Sequence, residues 1–125
     1  MKASLFTLAL GLLLASPAFA QCELHYEFYT GFDIVNREAA QQVIEKVLAE
    51  KNITIAPNNP YFLYVSDYPG NPGKYEVWID MIVSGITTVQ TRTTVSRGRS
   101  PEESVSRFEQ GFRKASKFLK KCAAH

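Results

Sequence analysis

Few side chains in this sequence are of a type and spacing suited to chemistry. His25 lies between Glu23 and Glu27, and a histidine beside a carboxylate has the makings of an acid–base device. Catalysis also needs a nucleophile and a group that orients the histidine, and neither is visible at a matching spacing. No serine sits in a Gly-x-Ser-x-Gly elbow. Residues 69–74, PGNPGK, contain glycines and a lysine without the spacing or the following helix of a phosphate-binding loop, so they read as a hairpin turn. Asp33, Asp67 and Asp80 are scattered rather than spaced as a calcium loop.

The two cysteines, Cys22 and Cys122, are far apart in the chain, and no Cys-x-x-Cys redox motif occurs. With two cysteines and two histidines, one of them the terminal His125, the donors for a four-ligand zinc site are lacking. The pair is expected to form a disulfide, which an oxidising compartment favours. These residues call for no cofactor and no metal.

The start of the chain supplies that compartment. Lys2 precedes an apolar run from Leu5 to Ala15, and Ala18-Phe19-Ala20 offers small residues where a signal peptidase reads. The run is short for a membrane span, which takes about 20 apolar residues. Residues 1–20 are therefore read as a cleaved Sec signal peptide of a bacterial protein. Gln21, rather than a small residue, precedes Cys22, which departs from the lipoprotein pattern. Residues 21–125 form the expected mature domain, periplasmic or secreted, with no transmembrane segment. The chain has 14 basic and 12 acidic residues, a balance that gives no reason to expect nucleic acid as a partner.

The elements that must position these residues follow from periodicity. Over residues 22–30, Cys22, Leu24, Tyr26 and Phe28 alternate with Glu23, His25, Glu27 and Tyr29, the period of a half-buried strand. Asn36 caps a helix running to about Lys51, with Ala40, Val43, Ile44, Val47 and Leu48 on one stripe. Three strand-like stretches follow, 61–68, 74–83 and 86–97, joined by the 69–73 turn and by Ser84-Gly85. Ser100, Pro101 and Glu103 make a capping box with proline at the first helical position. Val105, Phe108, Phe112, Ala115, Leu119 and Cys122 then recur at helical spacing, and Gly111 lets this helix sit close to its neighbour. The lysines and arginines from Arg113 to Lys121 suit the helix dipole and read as a solvated face.

The expected fold is a single α+β domain, a two-layer sandwich of order β-α-β-β-β-α. It has a four-stranded, mainly antiparallel sheet with both helices on one face. In that arrangement Tyr75, Val77, Ile79 and Met81 face the helices, whereas Glu76, Trp78, Asp80 and Ile82 point away. An outward tryptophan among polar residues is a typical interface anchor. Tyr29 and His25 extend the patch, with either Phe62, Tyr64 and Tyr68 or Tyr61 according to register. The expected function is a non-catalytic periplasmic binding or accessory protein that contacts another cell-envelope protein. The alternatives are an exported inhibitor or immunity protein acting through the 57–60 or 69–73 loop, and a small enzyme using His25.

Overall fold

A computed structural model describes residues 22–32 and 34–123; the expected signal peptide and its cleavage point, Asp33 and His125 lie outside the described residues. The class is α+β, with two helices on one face of a sheet. The first strand, β1 (Glu23–Tyr29), buries Leu24 and Phe28 and leaves Glu23, Glu27 and Tyr29 exposed, as its alternation requires. Helix α1 (Arg37–Glu50) begins where Asn36 Oδ1 accepts the Ala39 N–H at 2.9 Å. Its whole predicted stripe is buried. It ends in a Schellman motif: Ile53 N–H donates to Leu48 O and Asn52 N–H to Ala49 O. Asn52 takes the left-handed conformation (φ 57°) that this motif needs.

The sheet has five strands, not four, and is mixed rather than mainly antiparallel. The additional strand, β2 (Thr54–Ile55), is two residues long with both side chains exposed, so it carries no alternation to read. Thr54 N–H donates to Cys22 O at 2.7 Å and Ala56 N–H to Leu24 O at 2.8 Å, which lays it parallel to β1. Strands β3 (Tyr61–Pro69), β4 (Lys74–Val83) and β5 (Ile86–Ser96) complete the order β2-β1-β3-β4-β5. The α1 crossover returns the chain to the same end of the sheet, so β3 runs parallel to β1, and tight turns then make β4 and β5 antiparallel. Ser84 and Gly85 both take positive φ (51° and 84°), the conformation of a two-residue hairpin turn that matches strand twist.

Helix α2 (Pro101–Ala115) has Ser100 as its N-cap, with Ser100 Oγ accepting the Glu103 N–H at 3.1 Å. The predicted capping box is displaced by one residue, because Glu103 Oε1 accepts from Arg99 N–H rather than from Ser100. The helix stops at Ala115, short of the continuous helix to Cys122 that the spacing predicts. Leu119 and Cys122 are nonetheless buried, carried by a tail folded along the same apolar seam. Gly111 is where α2 meets the sheet most closely: a Cβ there would lie 2.9 Å from Val95 Cγ1 and 3.0 Å from Val77 Cγ2. The two helices are joined by ion pairs, Lys46 to Glu109 at 3.1 Å and Arg113 to Glu50 at 2.7 Å.

The tail is fastened at one corner. Cys22 and Cys122 form a disulfide with their Cα atoms 5.7 Å apart across 100 residues of sequence. Cys122 N–H donates to Lys51 O, Asn52 Nδ2 donates to Cys122 O, and Lys51 Nζ donates to Leu119 O at 2.8 Å. Burial, then the nearby Arg113 and Lys120, hold the Lys51 ammonium below the usual lysine range. The disulfide therefore ties the first strand to the tail and to the end of α1, not to a helical turn of α2.

Two outcomes follow from this packing. A Cys22→Ser/Cys122→Ser protein is expected to lose about 2–5 kcal/mol of unfolding free energy, read from urea titration against the oxidised protein. Tyr75 is almost wholly buried and its hydroxyl has no hydrogen-bond partner among the described residues. Burial, and then the charge of Asp67, raise its pKa from 10.0 to about 12. The folded state thus holds this proton more tightly than the unfolded chain does. Its contribution to stability is complete below pH 10 and is lost as the pH rises toward about 12. Tyr75→Phe is expected to keep or raise stability at pH 7, since an unpaired buried hydroxyl is removed, and to flatten the alkaline fall. Thermal melts from pH 7 to pH 12 on both proteins would measure this.

Candidate functional site

With both helices on one side, the other face of the sheet is left without a covering layer among the described residues. Alternation fixes what it carries. From β1 come His25, Glu27 and Tyr29; from β3, Phe62, Tyr64, Ser66 and Tyr68; from β4, Glu76, Trp78, Asp80 and Ile82; and from β5, Gln90 and Arg92. The rows across the sheet are explicit. One runs Tyr29, Ser66, Trp78, Arg92, and the next runs Glu27, Tyr64, Asp80, Gln90. Directly opposed side chains of neighbouring strands stand about 5 Å apart at Cβ and so form one surface.

Trp78 lies in the middle of this face and is half-buried. Its Nε1 donates to Glu76 Oε1 at 2.8 Å, the Tyr68 ring meets it edge-on at 5.5 Å, and the Arg92 guanidinium lies 5.2 Å from its ring centroid. Phe32 reaches Tyr68 at 6.3 Å, and both rings are exposed, as is Tyr29. Ser66 is buried although it sits on the open side, because the side chains around it are Tyr29, Tyr64, Tyr68 and Trp78. At the other end, His25 stacks on Phe62 at 5.3 Å, and Phe62 leads on to Tyr64 at 6.0 Å. The aromatic side chains thus run along the length of β3. Burial raises the Tyr64 hydroxyl above the usual tyrosine range, and Tyr68, Tyr29, Glu27 and Asp80 add to it in that order. One oxygen of Asp80, Oδ1, is shielded from solvent without a hydrogen-bond partner among the described residues.

All five sequence-predicted surface residues, Trp78, Glu76, Asp80, Tyr29 and His25, have positions on this face. The structure brings Glu76 into contact with Trp78 and sets Tyr29 in the same row. His25 stands apart at the Phe62 end, with its Nε2 3.5 Å from Glu27 Oε2. The register selects Phe62, Tyr64 and Tyr68 and leaves Tyr61 on the helix side. Phe32 and Arg92 were not anticipated, nor were Ser66 and Gln90. Phe32 lies in the loop after β1, where no periodicity applies.

On the helix side the sequence also passed over a polar pair. Asp67 is fully buried and accepts a hydrogen bond from Thr30 Oγ1 at 2.9 Å. Tyr26 donates from its hydroxyl to Glu45 Oε2 at 2.7 Å; burial and then Glu45 raise its pKa well beyond the usual range. Both contacts tie strands to their surroundings. The 70–73 turn closes on itself through Gly70 N–H to Lys74 O and Lys74 N–H to Asn71 O, the geometry of a hairpin connection. Among the described residues no group of three or more His, Cys, Asp or Glu is placed to hold a metal ion. No helix among them is long and apolar enough to cross a membrane.

The chain matches no known family and no curated protein. Among solved structures it is similar to one from Caulobacter crescentus described as a "putative lipoprotein". The identity is 13%, over 74% of this chain and 78% of that one, with a TM-score of 0.30. A likeness that weak carries no argument about either fold or function, and the open face has to be judged on its own residues.

Substitution along β4 separates the two faces. Ile79→Ala, on the buried phase, is expected to cost about 2–5 kcal/mol. Trp78→Ala, one residue away, is expected to cost about 1 kcal/mol, as its ring is only half-buried. Urea midpoints for the two variants give the comparison, and equal losses would mean that both faces of β4 are core.

Proposed function

We propose that this protein is a non-catalytic binding or accessory protein of the bacterial cell envelope, and that it holds another envelope protein against the open face of its sheet. The observation that supports this reading is the uncovered aromatic surface centred on Trp78. Apolar rings left in water represent unspent burial, and contiguous exposed apolar patches mark interaction sites. The composition is that of an interface core, where Trp, Tyr, Phe and Arg are enriched. The envelope address rests on the signal-peptide pattern of residues 1–20 and agrees with a disulfide, which persists in oxidising compartments.

The decisive experiment replaces the anchor without disturbing the core. Trp78→Ala combined with Tyr68→Ala, expressed with its leader, is expected to abolish formaldehyde cross-linking to the partner that the parent captures. The circular dichroism should stay that of the parent, and the melting should remain cooperative with a midpoint lowered by several degrees, as the cost at Trp78 requires. Capture that survives in a folded double variant would remove the open face from consideration. A photo-reactive residue at Tyr29 then maps contact directly, because a cross-link there requires the partner to lie on this face.

A further inference from the structure

The open face is acidic as well as aromatic. Glu23, Glu27, Glu76 and Asp80 stand on it against Lys74 and Arg92, although the chain as a whole carries a net charge of +2. The basic excess lies on the helix side and in the tail, at Lys46, Lys114, Lys117, Lys120 and Lys121. Negative charge is thus gathered where the rings are. Glu27 is well exposed, and its recorded ion-pair neighbour is His25 at 3.5 Å. Asp80 is partly exposed and stands in the same cross-strand row as Glu27, with Tyr64 between them.

Arg92 shows what such a surface takes. Its guanidinium lies over Trp78, with Glu76 hydrogen-bonded to the same indole. A cation above an aromatic ring with a carboxylate alongside is a favourable arrangement, and more so once water is excluded. The same elements are repeated a few ångströms along β3, where Tyr64 stands between Glu27 and Asp80 in one cross-strand row. There the basic neighbour is the His25 imidazole, 3.5 Å from Glu27. The patch is also long: from Phe62 to Tyr68 the strand advances about 20 Å at about 3.3 Å per residue. An extended polypeptide of six or seven residues matches that length.

Building on the reading above, we propose that the open face binds a basic segment of its protein partner. A lysine or arginine of that segment would lie across Tyr64 with its charge held between Glu27 and Asp80, and the segment's apolar side chains would cover Tyr68 and Trp78. Charge complementarity selects a cationic polypeptide over an acidic or neutral one.

Trp78 is the sole tryptophan of the chain and reports binding directly. The disulfide-bonded protein is titrated with a ten-residue peptide alternating arginine or lysine with apolar residues. Controls are the same peptide with glutamate at every basic position, spermine, and a neutral chitin oligomer. The basic peptide alone is expected to saturate the Trp78 emission change, and affinity should fall at least about tenfold between 20 mM and 500 mM salt, as screening requires. Glu27→Gln and Asp80→Asn should each weaken binding about threefold to fivefold, the scale of a partly exposed charge pair. Asp80→Asn should also keep or raise the melting temperature, which shows that the loss is not unfolding. Equal binding of the glutamate peptide or the chitin oligomer, or unchanged affinity in both variants, overturns the proposal. Saturation by spermine at the peptide's affinity would mean that charge suffices without a polypeptide, and also overturns it. If Trp78→Ala/Tyr68→Ala loses the native partner while Glu27→Gln and Asp80→Asn retain it, the open-face reading stands and the basic segment falls. If the double variant keeps its partner, the open-face reading itself falls.

Discussion

Where Cys22 meets Cys122, three parts of the chain that share no local sequence are held in one place. The start of β1 is bonded to the tail, the tail's backbone is bonded to Lys51, and Asn52 reaches back to the Cys122 carbonyl. The left-handed turn at Asn52 both ends α1 and aims the chain into β2, which lies against Cys22 itself. Everything downstream depends on this corner. It sets the end from which α1 lies across the sheet, and it draws the segment after α2 along the same seam. Both helices are therefore committed to one side.

A sheet of this size presents two faces, and two helices can cover one. On the covered side the fit is close, with Gly111 against Val77 and Val95, and with the Lys46–Glu109 and Glu50–Arg113 pairs bridging the helices. Such exposed pairs contribute little energy each and serve mainly to fix relative orientation. On the other side the chain places aromatic rings and carboxylates where a soluble sheet would ordinarily carry threonine, lysine and glutamate. Strand β5 keeps closer to that ordinary pattern there, with Gln90, Arg92 and Thr94. Strands β3 and β5 lie about 10 Å apart in one sheet, with β4 between them, and differ sharply in what they present on this face.

Most of the architecture was legible because its period was undisturbed. The stripe of α1, the strict alternation of β4 and the N-cap at Ser100 each follow from local residue type, and Trp78 fell on its face by parity. Three features were not legible, each for a definite reason. Thr54–Ile55 is too short to display a period and is held by hydrogen bonds to Cys22 and Leu24 that only the fold creates. Leu119 and Cys122 keep helical spacing although the helix ends at Ala115, since a tail packed along an apolar seam satisfies the same pattern. Arg92 was hidden by an irregularity. A two-residue turn at Ser84-Gly85 pairs Ile82 with Thr87, and continuing that register would set Trp78 opposite Thr91. A bulge between Met81 and Ile82 adds a residue, turns Thr91 toward α2, where it bonds Ala115 O, and brings Arg92 over the indole.

The disulfide has a mechanical meaning apart from its effect on the unfolding equilibrium. Because Cys22 and Cys122 are joined, the segment between them is a covalent ring whose two ports are side by side. Tension applied from beyond those residues passes through sulfur from one port to the other. It bypasses the β1–β3 ladder, which in an unbridged chain would be peeled open early because β1 comes first in the sequence. The open face of the sheet is thus insulated from load while the ends of the chain are pulled, until the bridge is reduced.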